Sequence, residues 1–166
     1  MSTLIHNLSK THDRFFALLS KLQSPFLLAV RLYWGWQLAE SGWGKLHNLE
    51  KVTEFFTSLN LPMPAQMAVA ISCLELFGGI FLSIGLLSRM TALVLTINMI
   101  MAYVTADREA LFSFFSEPDK FSAAAPYVFL IASLIILIFG PGKICVDTLL
   151  RRLAHLPDPA REAQIS

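Results

Sequence analysis

Arg31, Gln37, Glu40, Glu75 and Asn98 are the candidate polar side chains set deep within the apolar stretches of this chain. Glu75 is the most demanding. It sits near the middle of a 23-residue apolar run, Ala65 to Leu87, and about 20 such residues cross a bilayer. A charged carboxylate at the bilayer centre costs roughly 2.5–3.5 kcal/mol on insertion scales. Glu75 must therefore be protonated, paired, or turned toward a polar interior. One chemistry makes it a proton-handling or cofactor-contacting carboxylate, alone or with Glu40. The competing reading makes it a packing anchor, bonded across a helix bundle to Asn98 or Arg31. Its neighbours Gly78 and Gly79 fall at i+3 and i+4, on the same helical face. Missing side chains there permit close helix packing, or leave room for a flat ligand such as a quinone. Tyr33, Trp34, Trp36 and Trp43 could stack such a ring, although tryptophan near a membrane interface ordinarily serves as an anchor.

Depth sorts these groups. At about 1.5 Å per residue, Glu40, Glu75 and Asn98 fall near mid-membrane. Arg31 lies roughly 9 Å from the start of its own apolar run, and its side chain leans toward the N-terminus, which favours snorkelling to the nearer surface. For Asn98 an interhelical hydrogen bond is the expected role. Cys73 and Cys145 form no CxxC and no metal-ligand spacing. All four histidines lie outside the apolar runs, so no haem-bearing pair at i, i+4 and no metal set is expected. Phosphate loops, nucleophile elbows and HExxH are absent from the sequence, and no catalytic residues are assigned from it.

The elements that carry these residues follow from composition. The 166 residues are 55% hydrophobic and 15% charged, against about 25% charged in soluble domains. That balance places the chain in the membrane class, and a net charge of +1 argues against nucleic acid as a partner. Four apolar runs, 25–43, 65–87, 90–106 and 123–140, suit membrane helices, and none alternates like a barrel strand. The expected fold is all-α: an integral membrane four-helix bundle in the lipid bilayer, with short interfacial amphipathic helices. The second and third runs are joined tightly around Ser88-Arg89. Between the first and second, Leu46, Leu49, Val52, Phe56 and Leu59 recur at helical spacing, as in an interfacial helix. The phenylalanine-rich stretch 107–122 is expected at the interface as well. Three parts result: an amphipathic N-terminal segment 1–24, a four-span domain 25–142, and a polar tail 143–166. The N-terminus lacks the features of a cleaved secretory signal.

Positive charges set the orientation. With both termini cytoplasmic, that side holds Lys10, Arg14, Lys21, Arg89, Lys143, Arg151, Arg152 and Arg161, and the other holds Lys45, Lys51, Arg108 and Lys120. The imbalance predicts a multi-pass protein of the cytoplasmic (inner) membrane with both ends inside.

Several segments together resemble the DoxX family of small four-helix membrane proteins: RLYWGWQLAESGWGKL (31–46), FFTSLNLPMP (55–64), ELFGGIFLSIGLLSRMTAL (75–93), and GPGK (140–143) followed by Asp147. The resemblance covers roughly residues 25–150. It implies that Arg31, Gly42, Lys45, Glu75, Gly78, Gly79, Gly85 and Arg89 are family signature positions, with no chemical role transferred. Glu40 is not part of that pattern. The family is named after a membrane subunit associated with thiosulfate:quinone oxidation, and other members are linked to membrane-associated oxidoreductases and to oxidative or thiol stress. The stretch 103–121 also resembles a subgroup found with metal-responsive peptide-modification operons, which implies operon-encoded partner proteins. The leading expectation is a membrane subunit or partner of a redox system, contacting quinone through the Glu75 face. The alternatives are a small-molecule transporter or exporter component, and a membrane scaffold for soluble enzymes.

Overall fold

The structure is a computed structural model that describes the backbone of residues 2–153 and the side chains of residues 20–150 and 153. Among the described residues it is all-helical. The elements are α1 (Ser2–Leu46), α2 (Leu49–Ser58), α3 (Pro64–Ile84), α4 (Ser88–Thr105), α5 (Arg108–Phe112), α6 (Pro118–Ala123), α7 (Pro126–Phe139) and α8 (Val146–Leu153). The side chains of the expected amphipathic segment up to residue 19 lie outside the described residues, as does the tail beyond residue 153.

Helices α1, α3, α4 and α7 form the bundle, with α1 on α3, α3 on α4, α4 on α7 and α7 on α1. Leu27, Leu38, Leu82, Leu95, Met99 and Ile136 are buried at its centre. Both α3 and α4 are long and apolar enough to cross a membrane, while α7 is a shorter apolar helix of 14 residues. Outward faces carry large apolar side chains such as Phe77, Ile97, Met101 and Ile138. A lipid-facing helix shows this pattern, and a water-facing helix does not.

Local chemistry sets the helix ends. Pro64, Pro118 and Pro126 open α3, α6 and α7 in the first turn, where a missing N–H costs nothing. The second apolar run continues to Leu87, yet α3 stops at Ile84. Gly85 there takes a left-handed conformation (φ +74°), and its N–H returns to Phe81 O at 2.9 Å, the usual glycine stop. The stripe Leu46, Leu49, Val52, Phe56 and Leu59 is half-buried along its whole length, because α2 lies against α3. In the phenylalanine-rich connection, the Tyr103 hydroxyl donates to Phe121 O at 2.8 Å, and Phe114, Phe121 and Tyr127 pack ring against ring. Phe112 and Phe115 remain exposed.

Candidate functional site

Antiparallel α1 and α3 approach so closely that glycine is required at their contact. A Cβ on Gly79 would lie 2.9 Å from Ala39 Cα, one on Gly35 would lie 2.9 Å from Gly79 O, and one on Gly42 would lie 2.7 Å from Ser72 O. The interface is thus built from small residues, the arrangement that lets membrane helices touch backbone to backbone. Gly78 faces the other way, onto the Leu95 side chain of α4. The glycine pair serves two different packing contacts and leaves no slot for a ring between α1 and α3.

This contact brings Glu75 under the end of α1. Lys45 Nζ donates to both carboxylate oxygens, at 2.5 and 2.6 Å, and Ser41 Oγ donates to Oε2 at 3.1 Å. The Glu75 side chain is 6% exposed and that of Lys45 is 36% exposed. A buried carboxylate is therefore joined to an ammonium that still reaches the outside of the bundle. Neither expected partner is the real one. Asn98 is half-buried and makes no side-chain hydrogen bond among the described residues, and Arg31 lies elsewhere. Glu40 points outward and is not joined to Glu75. The reason is helical phase. Glu40 and Ser41 sit on different faces of α1, whereas Ser41 and Lys45, at i and i+4, share one. Because α1 runs through to Leu46, Lys45 belongs to the helix and its side chain leans back toward Ser41 and Glu75.

Arg31 anchors a second constellation at the opposite end of the bundle. It is completely buried rather than snorkelled into water. Its Nη2 donates to Ile144 O at 2.5 Å, because the segment after α7 folds across the helix ends and covers it. Lys143 N donates to Ser24 Oγ at 2.8 Å in the same segment. Asp147 caps α4: its carboxylate accepts from Leu87 N at 2.7 Å, and from Ser88 N and Ser88 Oγ, each at 2.8 Å. Leu87 holds a left-handed backbone (φ +47°), a strained state for leucine that these bonds hold in place. Asp147 N in turn donates to Gly85 O at 3.0 Å. Arg89 reaches Ile138 O at 3.5 Å, near the carbonyl end of α7, where a cation is favoured.

A shallow apolar groove of about 400 Å³ lies between α3 and α4, lined by Cys73, Phe77, Gly78, Met90 and neighbouring residues and not by Glu75. The tryptophans do not gather into a stacking site. Trp36 and Trp43 face outward, and Trp34 packs edge-on against Phe129.

Sequence reasoning singled out Arg31, Lys45 and Glu75 but missed Ser41 and the capping role of Asp147. The i, i+4 relation of Ser41 to Lys45 was the signal available for the first. Nothing local marked the second, because Asp147 acts on residues some sixty positions earlier.

The DoxX family model matches residues 26–108, a span holding Arg31, Lys45 and Glu75 together. A Bacillus subtilis (strain 168) protein named "Putative oxidoreductase CatD" is 28% identical over 120 residues, which is 72% of this chain and 83% of that one. No solved structure matches the chain. With half its length under the family model, and with the model's residues forming the packed α1–α3–α4 unit around the Lys45–Glu75 pair, the chain belongs to the DoxX family of membrane proteins.

Proposed function

We propose that this DoxX membrane protein is the membrane-embedded subunit or partner of a redox system, with Lys45–Glu75 as its proton-handling pair. The observation that carries the proposal is the gradient of exposure across the pair, from a buried carboxylate to a partly open ammonium. Quinone and thiol chemistry moves protons together with electrons. A carboxylate in low-dielectric surroundings, held by one partly exposed cation and one hydroxyl, can take up a proton when the lysine turns away. Intramembrane ionisable groups are the default candidates for such work. The oxidoreductase name of the Bacillus subtilis relative supports the same reading.

Ser24, Arg89 and Lys143 gather at one end of the bundle, while Lys45 and Arg108 lie at helix ends facing the other way. With the more basic end cytoplasmic, α1, α3, α4 and α7 cross the inner membrane in turn, and Lys45–Glu75 opens to the non-cytoplasmic side.

The test is purification of the tagged chain from native membranes, followed by assay of the eluate for electron transfer to a soluble quinone. Thiosulfate, a dithiol and reduced nicotinamide serve as donors. The expected result is a co-purifying activity that Glu75→Gln lowers at least tenfold without changing partner recovery. An eluate that transfers no electrons, or one indifferent to Glu75→Gln, would overturn it.

A further inference from the structure

Arg31 is fully buried, yet only one of its three guanidinium nitrogens is used. Nη2 bonds Ile144 O, while Nε and Nη1 have no hydrogen-bond partner. Such donors are seldom left idle in a folded interior, and the group beside them is Cys145. A Cβ placed on Gly85 would collide with both Arg31 Nη1 and Cys145 Cβ, so the guanidinium and the cysteine meet across the bare face of that glycine. Cys145 is also the residue before α8. Its sulfur accepts from Thr148 N at 3.3 Å and lies 3.0 Å from Thr148 Oγ1, in the position of a helix cap. It is half-buried rather than sealed in, and lies in the segment that closes the end of the bundle.

We infer that Cys145 is a peroxide-sensing thiol whose sulfenic acid is received by the idle Nη1 of Arg31. The sulfur attacks one oxygen of hydrogen peroxide. An S–O bond forms as the O–O bond breaks, and sulfur gives up the two electrons that the peroxide gains. The departing hydroxide takes the thiol proton and leaves as water. The oxygen now on sulfur accepts a hydrogen bond from Nη1, the nitrogen that meets Cys145 at the Gly85 face and has no acceptor in the reduced protein. Sulfenic acid formation is the first and reversible step of cysteine oxidation, and sensors of this type are accessible thiols in polarised surroundings. The other cysteine has no such setting. Cys73 lines the apolar groove between α3 and α4, with no cation among the residues around it. The inference concerns the end of the bundle remote from Lys45–Glu75 and stands whether or not that pair handles protons.

The full chain in lipid nanodiscs, exposed to micromolar hydrogen peroxide with dimedone as trap, tests it by peptide mass spectrometry. The Cys145 adduct is expected to form at least tenfold faster in the folded protein than at the same cysteine in the detergent-unfolded chain. Arg31→Lys, which keeps the charge but removes the Nη1 donor, is expected to return the rate to the unfolded value. A folded rate no greater than the unfolded one would overturn the inference. So would a helical Arg31→Lys protein labelled at the wild-type rate. If that variant does not fold, the comparison on the wild-type chain alone decides.

Discussion

Gly42→Ala is the sharpest probe of how helix packing builds the Lys45–Glu75 pair. The added Cβ would stand 2.7 Å from Ser72 O and 2.9 Å from the Glu75 carbonyl carbon, where ordinary contact begins at 3.4 Å. These two and Leu76 N, nearer still, are all backbone, so no side chain can swing aside, and α1 must retreat from α3 by about 1 Å in a close-packed interior. Overpacking of this kind costs about 1–3 kcal/mol. Gly44 supplies the control two residues away, because a Cβ there meets nothing within 4 Å. Both substitutions gain the same helix propensity, about 1 kcal/mol, so propensity cancels between them and the clash remains. Gly44→Ala should therefore be neutral or stabilising, and Gly42→Ala should lie about 1–3 kcal/mol below it. Unfolding by sodium dodecyl sulfate titration, followed by circular dichroism, reads the difference. A carbodiimide reads the site, since it joins Lys45 to Glu75 as an amide only while the two are in contact. The cross-linked peptide should persist in Gly44→Ala and fall several-fold in Gly42→Ala. Equal unfolding midpoints together with equal cross-linking would refute the packing argument.

Lys45→Met should destabilise more than Glu75→Gln, because it leaves a buried carboxylate with Ser41 alone, whereas Lys45 can turn to solvent when Glu75 is neutralised. Breaking a fully buried pair costs about 3–5 kcal/mol, and the partial exposure of Lys45 lowers the expectation to roughly 2–3 kcal/mol, measurable in the same titration. Asp147→Ala should cost about 1–2 kcal/mol through loss of the α4 cap and should make the bonds after Gly140 more readily cut in limited proteolysis. Tyr103→Phe should cost about 1 kcal/mol for the bond to Phe121 O, with the loss seen as faster amide exchange in 113–123 and not in α1.

Hydropathy made the membrane class legible, and α3 and α4 with it, because runs of apolar residues declare themselves without knowledge of contacts. The packing face of α2 was equally visible as a 3.6-residue stripe. The site was legible in its members and not in its pairing. Glu75 announced itself by the energetic cost of its position, but its partner depended on α1 continuing past Trp43, which hydropathy cannot report once Lys45 and His47 dilute the run. Glu40 misled for the converse reason: depth placed it beside Glu75, and phase turned it away. The covering of Arg31 depended on a contact 113 positions along the chain. No periodicity carries information of that kind.

The segment that covers Arg31 has a consequence for biogenesis. Synthesis runs from the N-terminus, so α1, α3 and α4 leave the ribosome before Ile144 and Asp147 exist. Throughout that interval the Arg31 guanidinium lacks its acceptor and the start of α4 lacks its cap. Closure of this end of the bundle therefore waits for residues 144–147, which follow every bundle helix in the chain. A chain stalled or cleaved after Gly140 would carry every apolar helix of the bundle and still present an open end, a form that quality-control proteases could tell from the finished protein.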